Sequence, residues 1–425
     1  MLALRKLPGS LLASGLGLFG ASTAGAEANP YFLGVNQAFS YESNVYNLEN
    51  GQPQPPNVQA WTDAISITSL NGGIDQPFGR QRFFFTGNVA QNIYKRNTQL
   101  NNLSYGLDTG LDWQTVERLS GALRLTLNQG LGGFNLYGTT ESFEKNIQDT
   151  QQALATVRWG ITPRVALEGG YIFRRVLMSN PVAQNNEYDQ NTASVGVSYG
   201  GDGVLTLGLA GRFSKTNYPY FELVTPTPPP SPPPPPYYLA DEADSRNIDL
   251  TASWVPSGRS KLEARLSFSD ITHTVNTSND FRGLTGSLRW DYDATGKLFT
   301  RLSVLVAPGS GATFYDFSGD TTPFVSNARS STSVRMGATY LATGKTRFNA
   351  AVILENDRLA QQDASGAVQT GTVSNVSAII GTTYSAARNV DFACSLRFDN
   401  RSTESTLSHP YSGTTVLCSA ELLLK

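Results

Sequence analysis

The sequence predicts an all-β fold, a transmembrane antiparallel β-barrel of about 18 strands with both termini on the periplasmic side. Charged residues are 16% of the 425 residues, against roughly 25% in an average globular domain, while glycine and aromatic residues are abundant. Beyond an N-terminal leader, no apolar run approaches the ~20 residues of a transmembrane helix. Segments of alternating polarity are instead joined by short and long connections in turn, as in bacterial outer-membrane barrels.

The first 26 residues have the features of a secretory signal peptide. Arg5 and Lys6 form a basic segment, Leu11 to Phe19 is apolar, and Ala24-Gly25-Ala26 fits an A-x-A cleavage site. We therefore expect cleavage after Ala26 and a barrel domain over 27–425. The predicted location is the outer membrane of a Gram-negative cell. The expected partners there are the lipid bilayer and the barrel-assembly machinery.

Connections beyond Tyr31 alternate in length, with eight short turns and nine long loops. Seventeen connections require eighteen strands, and a first and last long loop place both termini on the short-turn side. One predicted extracellular loop, Asn217 to Asp244, contains nine prolines among the twelve residues from Thr225 to Pro236. Because proline cannot donate to a strand ladder, this segment is expected to be a polyproline arm. It serves either as a surface spacer or as an element that docks in an aromatic groove.

The apolar faces of successive strands carry an aromatic residue near the short-turn end. Such rings prefer the bilayer interface, so a set at one end of the strands predicts a membrane girdle. The predicted girdle consists of Trp113, Trp159, Tyr199, Trp254, Trp290, Tyr340 and Tyr384.

The polar faces carry nine arginines and nine carboxylates. In a membrane barrel the polar face points into the lumen, so these residues are predicted to line a pore or to form cross-strand ion pairs. The arginines are Arg124, Arg158, Arg174, Arg212, Arg265, Arg289, Arg301, Arg335 and Arg397. The carboxylates are Asp108, Asp112, Glu168, Asp249, Glu263, Asp291, Glu355, Asp391 and Glu421. Glutamate at Arg124, Arg158, Arg212, Arg289 and Arg335 is expected to reverse the ion selectivity of such a pore.

No catalytic, cofactor or metal motif is present in the sequence, so we expect neither an enzyme nor a cofactor-binding protein. Two histidines, His273 and His409, and two cysteines leave little acid–base or metal chemistry. The formal net charge of −2 provides no basic surface for nucleic acid.

Three segments resemble the EpsL-type family of β-barrel porins, which are encoded with exopolysaccharide operons. They are Tyr41 to Tyr46 (YESNVY), Gln76 to Phe83 (QPFGRQRF) and Asn101 to Trp113 (NNLSYGLDTGLDW). The resemblance covers the first quarter of the chain well and the remainder by architecture only. It implies an outer-membrane conduit for a secreted polysaccharide, with a periplasmic export partner.

Three functions therefore remain open. The first is exopolysaccharide export, the second is general diffusion of small solutes, and the third is a structural or adhesive barrel that acts through its loops. An inward-folded loop that constricts the lumen would favour the second.

Cys394 and Cys418 lie on the apolar faces of the last two predicted strands. If these strands form a hairpin, the two cysteines face each other across a turn centred near Thr406. Since the compartment beyond the signal peptide is oxidising, a disulfide is possible. The alternative is two small apolar residues with free thiols.

Overall fold

In the computed structural model, the protein forms one closed antiparallel sheet of 18 strands. The structure describes residues 30–134, 142–200, 203–224, 236–308, 314–315, 321–322, 330–362, 368–404 and 407–424. The predicted signal peptide and nearly all of the proline-rich segment lie outside these residues. Within them, no helix is long and apolar enough to cross a membrane.

The strands follow the chain in order around the barrel. They are β1 (Tyr31–Glu42), β2 (Asp63–Phe78), β3 (Gln81–Tyr94), β4 (Asn102–Gln114), β5 (Leu119–Leu131), β6 (Ile147–Gly160), β7 (Val165–Met178), β8 (Tyr188–Tyr199), β9 (Leu205–Val224), β10 (Tyr237–Ser257), β11 (Ser260–His273), β12 (Phe281–Asp293), β13 (Leu298–Pro308), β16 (Ser330–Leu341), β17 (Thr346–Gln362), β18 (Val368–Ala387), β19 (Val390–Thr403) and β20 (Tyr411–Leu424). Two short strands, β14 (Phe314–Tyr315) and β15 (Thr321–Thr322), pair only with each other. Three 3-10 helices lie in connections: η1 (Thr98–Leu100), η2 (Pro181–Asn186) and η3 (Thr277–Asn279).

Pairing of β20 with β1 closes the sheet, for example at Cys418 and Phe39. At one end of the barrel, eight connections contain two to five residues; at the other end, nine connections contain five to 21. We call these ends the turn side and the loop side. A two-residue turn needs unusual backbone angles, and Gly79 provides them with φ +62° between β2 and β3. The prediction of eighteen strands and of turn-side ends for β1 and β20 is confirmed.

The predicted loop from Asn217 to Asp244 is wrong in extent, because β9 and β10 continue through most of it as a hairpin. Cross-strand pairs run from Tyr218 with Asp241 to Val224 with Tyr237, across one register shift. The irregularity accommodates Pro219, which lacks the N–H needed for a regular ladder. This β-bulge could not be predicted from the sequence, because the alternation of polarity does not indicate one.

All seven predicted girdle residues lie on the outward face near the turn-side ends of their strands. Trp159, Tyr199, Trp254, Trp290, Tyr340 and Tyr384 are between 41% and 55% exposed. Exposure of so many large rings is unfavourable at a surface that faces water. It suits the interface between headgroups and hydrocarbon.

Eight residues from the girdle towards the loop side, the outward face becomes polar. Examples are Gln151 on β6, Arg175 on β7, Arg246 on β10, Arg282 on β12 and Asn356 on β17. Between the girdle and these polar residues, the outward positions carry only apolar residues, glycine or threonine. This holds for each strand with a girdle residue and for the strand joined to it by a short turn. Eight residues span about 26 Å along a strand, or about 20 Å along the barrel axis at the usual tilt. This height is close to the roughly 25 Å apolar band of transmembrane β-barrels.

The structure places Cys394 and Cys418 directly opposite each other on β19 and β20. Their Cα atoms are 4.1 Å apart and the sulfur atoms are joined as a disulfide. Both residues have outward parity, so the bridge lies within the apolar band.

We expect mass spectrometry of the unreduced, alkylated protein to find neither cysteine carbamidomethylated. The bond should form because the two thiols are adjacent in the folded hairpin and the compartment is oxidising. A reduced and alkylated sample is the control and should carry two carbamidomethyl groups. Two such groups without reductant would show that the bridge is absent.

Candidate functional site

The inner wall of the barrel is the candidate functional surface. Strand register places all eighteen predicted lumen residues on the inward face, opposite the apolar band. Alternation in sequence was sufficient for this because side chains in a strand point to opposite faces. Their solvent exposure, however, differs greatly between the two halves of the wall.

Near the turn side, water reaches the inner wall and the charges form pairs. Arg124 Nη2 lies 2.5 Å from Asp112 Oδ1, and its guanidinium is 4.4 Å from the ring centroid of Phe84. Gly110 of β4 lies between β3 and β5 and leaves room for this stacking, because a Cβ at this position would lie 2.7 Å from the side chains of Arg124 and Phe84. Arg158 Nε lies 3.4 Å from Glu168 Oε1, with 53% of the arginine side chain exposed.

Sequence analysis missed part of this network. Arg82 makes two hydrogen bonds to the Asp75 carboxylate, at 2.7 and 2.6 Å, and also lies 3.7 Å from Asp112. Both residues lie close to the β2–β3 turn, where the alternation ends. The register of β3 with β4 shows that Arg82 faces inward, and the register of β2 with β3 shows the same for Asp75. Both registers are known only from the tertiary structure.

Arginine predominates on the inner wall of β12, β13 and β16. Arg289 and Arg301 both donate to Asp291, at 3.0 and 2.5 Å. Arg335 follows on the next strand, opposite Ser303, and is exposed to solvent. In the described part of the chain it has no carboxylate partner. We call Arg289, Arg301, Arg335 and Asp291 the β12–β16 arginine cluster. Their formal charges sum to +2.

Of the other predicted carboxylates, Glu263 lies directly opposite Arg289 across β11 and β12, and the rest are on strands other than β12, β13 and β16. Glu263 pairs with Lys261, and Asp108 accepts a hydrogen bond from Thr126 at 3.3 Å. Asp391 and Glu421 face each other across β19 and β20, a like-charge contact. Glu355 lies on β17, and Arg397 pairs with Asp399 rather than with a predicted partner.

The loop-side half of the wall is buried. Arg174 is 1% exposed, Arg212 4%, Asp249 5% and Arg265 8%. These four residues face inward, but the prediction that they line a water-filled pore is wrong for them, because they are buried away from water. Arg212 binds Asp249 through two hydrogen bonds of 2.8 and 3.2 Å.

The connection between β1 and β2, residues 43–62, folds into the loop-side mouth. Val45, Tyr46, Leu48 and Val58 are buried in one cluster with Leu100 of η1. This cluster also contains the following inward wall residues: Ile65 and Tyr94. We call residues 43–62 the mouth segment. Burial of its apolar side chains holds it on the inner wall.

Polar contacts fix the conformation of the mouth segment. Asn44 bonds the carbonyl and the N–H of Leu48, at 2.8 and 2.9 Å. The Asp63 carboxylate accepts the backbone N–H groups of Arg96 and Asn97. The Tyr46 hydroxyl accepts a 2.7 Å hydrogen bond from Gln99, and burial raises its pKa.

A second cluster covers the inner wall at the loop-side ends of β7 to β11. Ala183 of η2 packs with Val176, Tyr188 and Tyr218. Glu187 ends this connection, where its carboxylate accepts the Met178 N–H at 2.9 Å. Burial raises the pKa of Glu187.

His273 lies at the edge of this second cluster and is buried, although its place at a strand end is typical of a solvated histidine. Its Nδ1 lies 2.7 Å from Asp241 Oδ2, and both side chains are 1% exposed. Asp241 also accepts the Val275 N–H at 2.8 Å. The pair therefore anchors the β11–β12 connection to the barrel.

Comparison with known proteins finds similarity in overall fold alone. No protein-family model and no curated protein matches the chain. The outer membrane protein OpdK of Pseudomonas aeruginosa is similar at 12% identity and a TM-score of 0.46, over 93% of this chain and 99% of that one. OccK3 (OpdO) of the same organism is 10% identical, with a TM-score of 0.47 over 93% and 96%. The siderophore receptor PiuA of Acinetobacter baumannii is 9% identical, with a TM-score of 0.44 over 92% and 82%.

The architecture itself supports a membrane location. An outward apolar band, an aromatic girdle and an inward polar wall occur together only where lipid surrounds a closed sheet. The protein is therefore a porin-like β-barrel of the outer-membrane type, with a polar inner wall and a partly covered loop-side mouth.

Proposed function

We propose that this protein is a channel for small hydrophilic solutes, narrowed at the loop side. The observation that carries the proposal is the mouth segment, which packs on the inward residues Ile65 and Tyr94. An inward-folded loop leaves passage for small solutes and obstructs a polymer chain. The solvent-exposed charges at the turn side provide hydrogen bonds that replace the water of a passing solute.

The β12–β16 arginine cluster supports a preference for anionic solutes. The guanidinium groups of Arg289 and Arg301 share one carboxylate, Asp291. Arg335 lies on the next strand and has no carboxylate partner among the described residues. A wall with excess positive charge raises the local concentration of anions in a narrow passage. Carboxylate-bearing small molecules are accordingly the proposed substrate class.

Polysaccharide export is the second candidate function. The resemblance to the EpsL-type family suggests it, and the hydrogen-bonding inner wall of an eighteen-stranded barrel favours it. Under this proposal, deletion of the gene abolishes surface polysaccharide and leaves small-solute uptake intact. Normal surface polysaccharide in the deletion strain would exclude this function.

The channel proposal is tested by releasing the mouth segment. Serine at Val45, Tyr46 and Leu48 removes three buried apolar side chains, each worth about 1.5–3 kcal/mol of burial. We expect single-channel conductance in planar bilayers to rise about twofold, and larger sugars to become permeant in liposome swelling, because the loop no longer narrows the mouth.

A matched control makes the same change on an exposed surface. Serine at Leu223, Tyr237 and Tyr238, all more than 40% exposed on the β9–β10 hairpin, should leave conductance unchanged. Equal conductance of the wild type and the mouth-segment variant would contradict the channel proposal. A closed wild-type barrel would contradict it as well.

A further inference from the structure

Arg174 is a buried cation whose charge nothing in the described protein balances. It faces inward on β7, between Gln152 of β6 and Gln190 of β8, and is 1% exposed. Among the described residues, its Nε and Nη1 have no hydrogen-bond partner. A guanidinium remains charged at any accessible pH, and an unpaired buried charge is strongly unfavourable. No carboxylate among the residues that the structure describes bonds to this guanidinium.

A second buried donor lies beside Arg174. Tyr188 is 2% exposed, and its hydroxyl has no hydrogen-bond partner in the described part of the chain. The Arg174 guanidinium carbon lies 5.9 Å from the centre of the Tyr188 ring. Two unsatisfied donors from neighbouring strands thus occupy the same buried region of the wall.

The buried carboxylates of this region are already engaged. Glu187 accepts the Met178 N–H. Asp241 accepts from Thr274 and from the Val275 N–H, and it contacts His273 Nδ1. The residues directly opposite Arg174 are the neutral amides Gln152 and Gln190, which are 8% and 3% exposed, so no carboxylate faces it at these positions. Burial away from water strengthens a charge-assisted hydrogen bond.

We infer that Arg174 and Tyr188 form a binding site for one small monovalent anion, a halide or a short carboxylate such as formate. The guanidinium balances the charge through Nε and Nη1, and the Tyr188 hydroxyl donates to the same ion. The burial of both side chains, at 1% and 2% exposed, favours a ligand of few atoms. This site does not depend on the proposed transport function, because an anion bound here stabilises the barrel whether or not solutes pass.

The thermal unfolding midpoint of the full chain in detergent tests this inference. Sodium morpholinoethanesulfonate, whose anion is bulky, is replaced by sodium formate at constant sodium concentration, and in parallel by sodium chloride. We expect the wild-type midpoint to rise by about 2–5 °C as the small anion saturates its site. No rise with either anion would overturn the inference.

Variants locate the effect. Arg174→Met should abolish the rise, and its midpoint in the sulfonate alone should equal or exceed that of the wild type, because the unpaired charge is gone. Tyr188→Phe should weaken anion affinity about tenfold through loss of one charge-assisted hydrogen bond. The control Arg158→Met, at an exposed arginine of the same wall, should keep the full rise. An equal rise in Arg174→Met would overturn the inference.

Crystals grown in sodium bromide provide an independent readout. An anomalous peak within hydrogen-bond distance of Arg174 and Tyr188 is expected in the wild type and is expected to be absent in Arg174→Met. A water molecule in its place, without anomalous signal, would overturn the anion assignment.

Discussion

Glutamate at Arg289, Arg301 and Arg335 is expected to convert an anion-preferring channel into a cation-preferring one. With Asp291 unchanged, the formal charge of the β12–β16 arginine cluster changes from +2 to −4. Electrostatic energies between such charges and an ion in a wet passage are reduced by water and salt. We nevertheless expect about a tenfold change in the anion-to-cation permeability ratio, measured from reversal potentials in planar bilayers under a salt gradient.

Two control variants define what this result means. Glutamine at the same three positions should give intermediate selectivity, since it removes the charge without reversing it. Glutamate at Lys95 and Arg358, which are exposed on the loop side and do not lie on the inner wall, should change the ratio little. Selectivity that follows total protein charge rather than position would show that the cluster does not face the ion path.

Removal of Asp249 is expected to cost about 3–5 kcal/mol of unfolding free energy, because Arg212 would remain buried without its partner. The two side chains are 5% and 7% exposed and share two hydrogen bonds. Urea-induced unfolding of Asp249→Ala in lipid vesicles measures this loss. In detergent gels, the temperature at which the folded band converts to the unfolded band provides a second measure of stability, which does not require refolding.

An exposed pair on the outward face supplies the control. Glu242→Ala breaks the contact with Lys215, where the two side chains are 48% and 57% exposed, and should cost only a small fraction of that loss. The double variant Arg212→Met with Asp249→Leu should recover most of the stability lost in Asp249→Ala. Equal losses for Asp249→Ala and Glu242→Ala would show that the burial of the Arg212–Asp249 pair does not increase its contribution to stability.

The selectivity prediction concerns Arg335 and the stability prediction concerns Arg212, although the two arginines have the same sequence pattern. Arg212 and Arg335 both alternate with apolar residues on predicted strands, and both face inward. Exposure separates them, since Arg212 is covered and Arg335 is not. We therefore expect Arg212, which sequence analysis grouped with the selectivity residues, to act on stability instead.

Alternation of polarity, together with the alternating lengths of the connections and the aromatic positions, predicted the barrel from the sequence alone. Side chains in a strand alternate between two faces, so a continuous pattern of ten-residue segments defines which residues face lipid and which face inward. The strand number follows from the connections, and the girdle from aromatic positions near one strand end. The pairing of Cys394 with Cys418 follows from hairpin symmetry, because partners in an antiparallel pair have a constant sum of residue numbers.

Only the tertiary structure decided which inward residues contact water. The mouth segment contains no periodic pattern, and its burial depends on Tyr46 and Leu48 meeting Ile65 and Tyr94 from other strands. Among the described residues, Arg174 Nε and Nη1 have no hydrogen-bond partner, and this too depends on which residues the neighbouring strands place opposite it. Local pattern fixes the face of a side chain because that is a property of one strand. Burial and charge balance depend on segments that are distant in sequence, and only folding brings these together.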